Sequence, residues 1–292
     1  MDGEEFPYDD AVDSFDMEPL EEEWQRELRA VATAEEFEAV KDFIKSDKLR
    51  EAFTSITSPE VLRICLDYVL NTFTMEQVGS VQDLFYYVAK SLRIDLMEVF
   101  FPDYLTLESL TEGEENSEKY EGFICDVVED GYVDVTKFFL EKGMSPNTEF
   151  CCGCYTLLMQ ASYWGKVDIV DLLILKEVNV NQVNSNGETA AFYAMWSDHV
   201  GVLDRLIVAG ADLHHRDKYG NNLWSHVVCP ENKDKLEPNY RRIAECNVHL
   251  DKEVYHRTFD QLYGEEEGKW LLAIMHEVAA KQGFEVREGV KK

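Results

Sequence analysis

Cys151-Cys152-Gly153-Cys154 is the segment with the most evident chemical potential. Cys151 and Cys154 stand at the Cys-x-x-Cys spacing that supplies half of a tetrahedral zinc site. No second such pair occurs among the seven cysteines, so the residue types favour a structural cluster first, a redox-sensitive one next and zinc last. The seven histidines (His199, His214, His215, His226, His249, His256, His276) are scattered, and 58 acidic side chains make some close pairs unavoidable. Neither type therefore marks acid–base work. There is no G-x-S-x-G, no phosphate-cradling glycine-rich loop and no H-E-x-x-H. The chain reads as non-enzymatic and calls for no cofactor.

Charge narrows the partners. The 292 residues carry 28 basic and 58 acidic side chains, a formal net charge of −30. Neutralising phosphates takes Lys and Arg, so nucleic acid and anionic membrane are not expected. A protein partner with a basic surface is, because long-range attraction speeds its association. No run approaches the roughly 20 apolar residues of a membrane span. The start, with Asp2, Glu4 and Glu5, lacks the basic region of a signal peptide. Seven cysteines without such a signal read as reduced thiols, which points to the cytoplasm or nucleus.

The elements that must position any site repeat themselves. Thr156-Leu157-Leu158-Met159-Gln160-Ala161 returns as Thr189-Ala190-Ala191-Phe192-Tyr193-Ala194, and Gly153, Gly187 and Gly220 keep intervals of 34 and 33. Asp95, Asp134, Asp168 and Gly201 open a second pattern of similar helices, spaced 39, 34 and 33, with Glu60 a weaker member. The long interval contains the polar insertion Thr111–Lys119, a loop by composition. Such periods mark a solenoid of stacked supersecondary units. Residues 1–23 hold eleven acidic residues and no basic one, and are expected to be a disordered tail. Residues 24–80 read as helical or as a degenerate repeat, with Thr33 and Glu36 forming a capping box. Five units follow over 81–250, at about 81–113, 120–147, 148–181, 182–214 and 215–249. Pro230 and Pro238 are expected to keep their segment out of helix. Residues 251–292 form a helical cap, with Trp270, Leu271, Ile274, Met275 and Val278 on one stripe.

Gly187-x-Thr189, Ala194, Val202-Leu203-x-x-Leu206-Ile207-x-x-Gly210-Ala211-Asp212 and Asp217-Lys218-Tyr219-Gly220 together resemble the ankyrin repeat. Met159 and Phe192 stand where that family places His, and neither Thr is followed by Pro. The resemblance implies an all-α solenoid of helix-turn-helix units joined by short hairpin fingers. It places Leu172, Leu173, Leu206, Ile207, Phe138, Phe139, Val99 and Phe100 in the core. It also implies binding through the finger tips and the exposed end of each first helix. Those positions are Glu129-Asp130, Tyr163-Trp164, Trp196-Ser197 and Cys229 at the helix ends, with Cys151-Cys152, Ser185-Asn186 and Lys218-Tyr219 at the tips. Tyr163 and Trp196 fill one repeat position twice with an aromatic, the residue type that dominates interface energetics. The expectation is an adaptor that recognises a basic partner on its concave surface. The rival readings are an inhibitor masking a basic nuclear or nucleic-acid-binding protein, a redox or zinc sensor built on Cys151 and Cys154, and a viral or symbiont effector engaging host proteins.

Overall fold

Leu92 (φ 56°), Gly131 (85°), Gly165 (67°) and Asp198 (62°) all adopt the left-handed conformation, and each stands two residues before a second helix. This shared turn reverses the chain between paired helices and sets the phase of the whole architecture. The structure is a computed structural model that describes residues 18–33, 37, 56–72, 81–101, 103–110, 114–150, 155–225, 233–262 and 268–283. They divide into two units, 1–110 and 111–292. The unit read from sequence at 81–113 thus lies almost wholly in the first of them.

In the first unit, α1 (Glu18–Val31) packs on α2 (Pro59–Thr72). Pro59 occupies the opening position of α2, where a missing N–H leaves no helical bond unmade. Helix α3 (Val81–Ala89) then pairs with α4 (Ile94–Met97), which continues as a 3-10 turn over Glu98–Phe100, and α5 (Leu107–Leu110) follows. Leu62, Leu66, Leu84, Val99 and Phe100 are buried, and Phe85 meets Phe100 edge-on at 5.4 Å. Helix α1 begins at Glu18, so Glu18–Glu23 are helical where a disordered tail was expected. Of the capping-box helix, Phe37 is buried and its N–H donates to the Thr33 carbonyl at 2.9 Å; Glu36 lies outside the described residues.

The second unit stacks helix pairs: α6 (Glu114–Asp130) with α7 (Val133–Glu141), α8 (Leu157–Tyr163) with α9 (Val167–Leu175), and α10 (Ala190–Trp196) with α11 (Val200–Val208). First helices α6, α8 and α10 pack in one row, and second helices α7, α9 and α11 in another. The insertion expected to be a loop is helical from Glu114, so it lengthens α6. A finger precedes α8: β1 (Glu149–Phe150) pairs antiparallel with β2 (Tyr155–Thr156), Glu149 opposite Thr156. Leu173, Leu206, Phe138 and Phe139 are buried as expected, but Leu172 and Ile207 are only partly so. On a nine-residue helix their sequence neighbours Leu173 and Leu206 take the inward stripe, and adjacent residues turn about 100° away from it.

The fourth pair is degenerate. Where its first helix is expected, the described residues form a 3-10 turn, Leu223–Ser225, in which Trp224 is fully buried and its indole N–H donates to the Val248 carbonyl at 3.0 Å. Its second helix, α12 (Lys233–Glu245), packs on α11 and contains Pro238, contrary to the expectation that proline would exclude helix there. Pro238 stands just beyond the first turn, whose N–H groups lack helical partners anyway, so only one i→i−4 bond is forfeited. Helices α13 (Lys252–Leu262) and α14 (Lys269–Lys281) pair at the end of the array, with α14 against α12. The stripe Trp270, Leu271, Ile274, Met275 and Val278 is buried.

Polar rungs tie each repeat to the next. Asn147 Oδ1 accepts from the Asn179 N–H at 2.7 Å, and Asn181 Oδ1 accepts from the Asp212 N–H at 2.7 Å. At the fingers, the Lys218 N–H donates to the Asn186 carbonyl at 3.0 Å. Gly187 is required there, because a Cβ would lie 2.9 Å from the Lys218 nitrogen.

Candidate functional site

The ends of the first helices carry the exposed chemistry. Glu129 and Asp130 close α6 and are exposed. One repeat on, Tyr163 is 42% and Trp164 39% exposed; one further, Trp196 and Ser197 are half-buried. The rings form one connected group. Trp164 meets Tyr163 edge-on at 5.1 Å, Tyr163 meets Tyr193 at 6.5 Å, and Tyr193 meets Trp196 at 5.0 Å. Tyr155, 37% exposed on β2, reaches the same Tyr193 at 5.7 Å. Edge-to-face pairs at such distances are the favoured aromatic geometry.

Tyr193 is the hub of this group and is itself buried. Its hydroxyl donates to Glu188 Oε2 at 2.9 Å, while Asn184 Nδ2 donates to the same carboxylate oxygen and to the Tyr193 oxygen, both at 2.9 Å. Asn184 Oδ1 accepts from the Asn186 and Glu188 N–H groups, each at 2.9 Å, which fixes the finger turn. Burial, then the hydrogen bond and charge of Glu188, push the Tyr193 phenol far above its ordinary range. The phenol therefore remains a proton donor and locks the ring to the finger.

Neither Tyr193 nor Tyr155 stands out from the repeat pattern. The available signals were the i, i+3 spacing of Tyr193 and Trp196 on α10, and the extra residue that Tyr155 makes before Thr156. The finger tips are also brought together: Lys218 Nζ lies 3.5 Å from the Ser185 carbonyl and 5.1 Å from the Tyr219 ring centroid. Tyr219 is 72% exposed, Ser185 is exposed and Asn186 is half-buried. Cys151, Cys152, Cys154 and Cys229 lie outside the described residues.

The repeat start differs between copies. Thr156 Oγ1 caps α8 by accepting from the Met159 N–H at 3.2 Å. In the next copy the Phe192 N–H donates instead to the Thr189 carbonyl at 3.0 Å, and the buried Thr189 Oγ1 has no hydrogen-bond partner among the described residues. Among the described residues no group of three or more His, Cys, Asp or Glu is placed to hold a metal. Burial pushes the Cys65 thiol up to about 12, where it is unreactive.

The family model for ankyrin repeats (3 copies) matches residues 124–217, from within α6 through the turn that follows α11. No curated protein matches the chain. Ankyrin repeats generally mediate protein–protein interaction and are typically non-catalytic. No helix among the described residues is long and apolar enough to cross a membrane. The matched helix pairs, their fingers and the rungs between them make residues 124–217 a run of ankyrin repeats.

Proposed function

We propose that the chain is a non-catalytic adaptor that grips a basic protein segment along the first-helix ends, the face that is concave in ankyrin arrays. The observation that carries this reading is the aromatic group. Tyr163 and Trp164 are exposed while the buried Tyr193, in ring contact with Tyr163, is held by Glu188 and Asn184. Rings already ordered lose little freedom on binding, which is what makes such residues effective anchors. Glu129 and Asp130, exposed one repeat earlier, add negative charge suited to Lys or Arg. Trp196 and Ser197 continue the strip, and Ser185, Asn186, Lys218 and Tyr219 form its finger-tip edge.

The test replaces Tyr163 and Trp164 together by Ala and compares affinity purification with the unaltered chain. Loss of the principal partner with an unchanged melting temperature is the expected result. Each anchor should be worth about 2 kcal/mol, roughly thirtyfold in Kd. Full retention of the partner, or unfolding of the variant, overturns the assignment.

A further inference from the structure

The first-helix ends differ in kind from one repeat to the next. On α6, Asp126, Glu129 and Asp130 share one face at i, i+3 and i+4, all three are exposed, and the last turn holds no basic residue. The Lys166 side chain lies beside Gly131, just past α6, and answers at most one of these charges. Carboxylates at the negative end of a helix oppose its dipole and one another, so packing does not account for the trio. One repeat on, the same positions hold Gln160, Tyr163 and Trp164; one further, they hold Tyr193, Trp196 and Ser197. The strip thus passes from carboxylates to aromatic rings across α6, α8 and α10, which pack in one row.

Helices in contact lie about 8–10 Å apart, so a segment crossing this row must offer a side chain at that interval. A polyproline II helix does so, because it returns to one face every third residue, after about 9 Å. A β-strand returns too soon, at every second residue and about 7 Å. An α-helix takes seven residues to advance about 10 Å along one face, and roughly fifteen to span the strip that polyproline II spans in seven.

We propose, resting on the adaptor reading above, that the strip binds a proline-rich segment of a partner protein. A basic residue of that segment sits over the end of α6, and prolines three and six residues away sit over α8 and α10. Polyproline II makes no internal hydrogen bonds, so its carbonyls are free to accept from the Tyr163 hydroxyl and the Trp164 indole N–H. Proline-rich segments dock on aromatic side chains in this conformation, and their stiffness lowers the entropy lost on binding. The prolines alone would leave the segment free to slip by one turn. The carboxylates of α6 fix the register, because they attract the basic residue to one end of the strip.

The experiment uses the full chain and a fluorescent peptide, Ala-Pro-Arg-Ala-Pro-Pro-Ala-Pro-Pro, offered in both chain directions and read by anisotropy. The tighter direction is compared with two altered peptides, one with every proline replaced by Ala and one with Arg replaced by Gln. Each alteration should weaken binding about tenfold. The variant Glu129→Gln/Asp130→Asn should weaken the Arg peptide about tenfold and leave the Gln peptide unaffected, at an unchanged melting temperature. Equal binding of the proline and Ala peptides, equal losses of the Arg and Gln peptides in that variant, or no binding in either direction overturns the proposal. The variant Tyr163→Ala/Trp164→Ala separates its failure from that of the adaptor reading. Proline and Ala peptides that bind equally and are both lost in this variant overturn the proline-rich occupant alone. Binding that this variant leaves unchanged overturns both.

Discussion

At Thr189 the repeat keeps its capping residue without the capping bond. The hydroxyl is buried with no hydrogen-bond partner among the described residues, because the Phe192 N–H has turned to the backbone carbonyl instead. Thr189→Val should therefore stabilise the protein by about 1 kcal/mol, read as a higher urea midpoint at constant slope. Tyr193 is the opposite case. Tyr193→Phe deprives the buried Glu188 of one of its two side-chain donors and should cost about 1–3 kcal/mol. If Tyr193→Phe proves neutral, the hub is held by ring packing alone. The sequence marks Tyr163 and Trp196 through their shared repeat position. It conceals Tyr193 because the residue's importance comes from contacts with β2, α8 and the finger, which no local spacing displays.

At the scale of elements, the second helices end alike. Gly143 (φ 107°), Glu177 (58°), Gly210 (89°) and Asn247 (54°) each stand two residues past a helix end in the left-handed region. Two of the four are glycine; Glu177 bears the strain that a side chain incurs there. Glu177→Gly should raise stability by about 0.5–1 kcal/mol in denaturant unfolding, after allowance for glycine's greater freedom in the unfolded chain. These turns explain what could be read in advance and what could not. Apolar periods place α7, α9 and α11 well, since burial selects side chains directly. The turn at Leu92 and the one at Asp198 were illegible, because a conformation can be imposed by flanking helices on residues that do not prefer it. Pro238 misled for the related reason that the cost of proline depends on how far it stands from a helix start. The terminal pair adds a pH dependence. His276 packs against Phe259 and Tyr255, and burial lowers its pKa below the ordinary 6.5. As pH falls through that value the unfolded chain takes up the proton first, so this contribution to stability is present above it and lost below it. His276→Phe should flatten the fall in melting temperature as pH drops below the ordinary histidine value of 6.5; an unaltered slope assigns the effect elsewhere.

For the molecule as a whole, a net charge of −30 opposes its own compaction. Raising sodium chloride from about 10 to 300 mM should raise the melting temperature, while slowing capture of a basic partner by the first-helix face. A melting temperature that falls with salt would mean that ion pairs such as Arg216–Asp251 and Arg205–Asp171 outweigh the repulsion. The rungs between repeats that are donated by backbone N–H groups run in one sense. Asn147 accepts from Asn179, Asn181 from Asp212, and the Asn186 carbonyl from Lys218. In each of these three the acceptor belongs to the segment that leaves the ribosome earlier, while the Asn181 side-chain amide donates forward to the Gly210 carbonyl at 3.1 Å. Each newly made repeat thus meets a finished template rather than a partner still inside the exit tunnel, and the array is suited to being completed in the order in which it is translated.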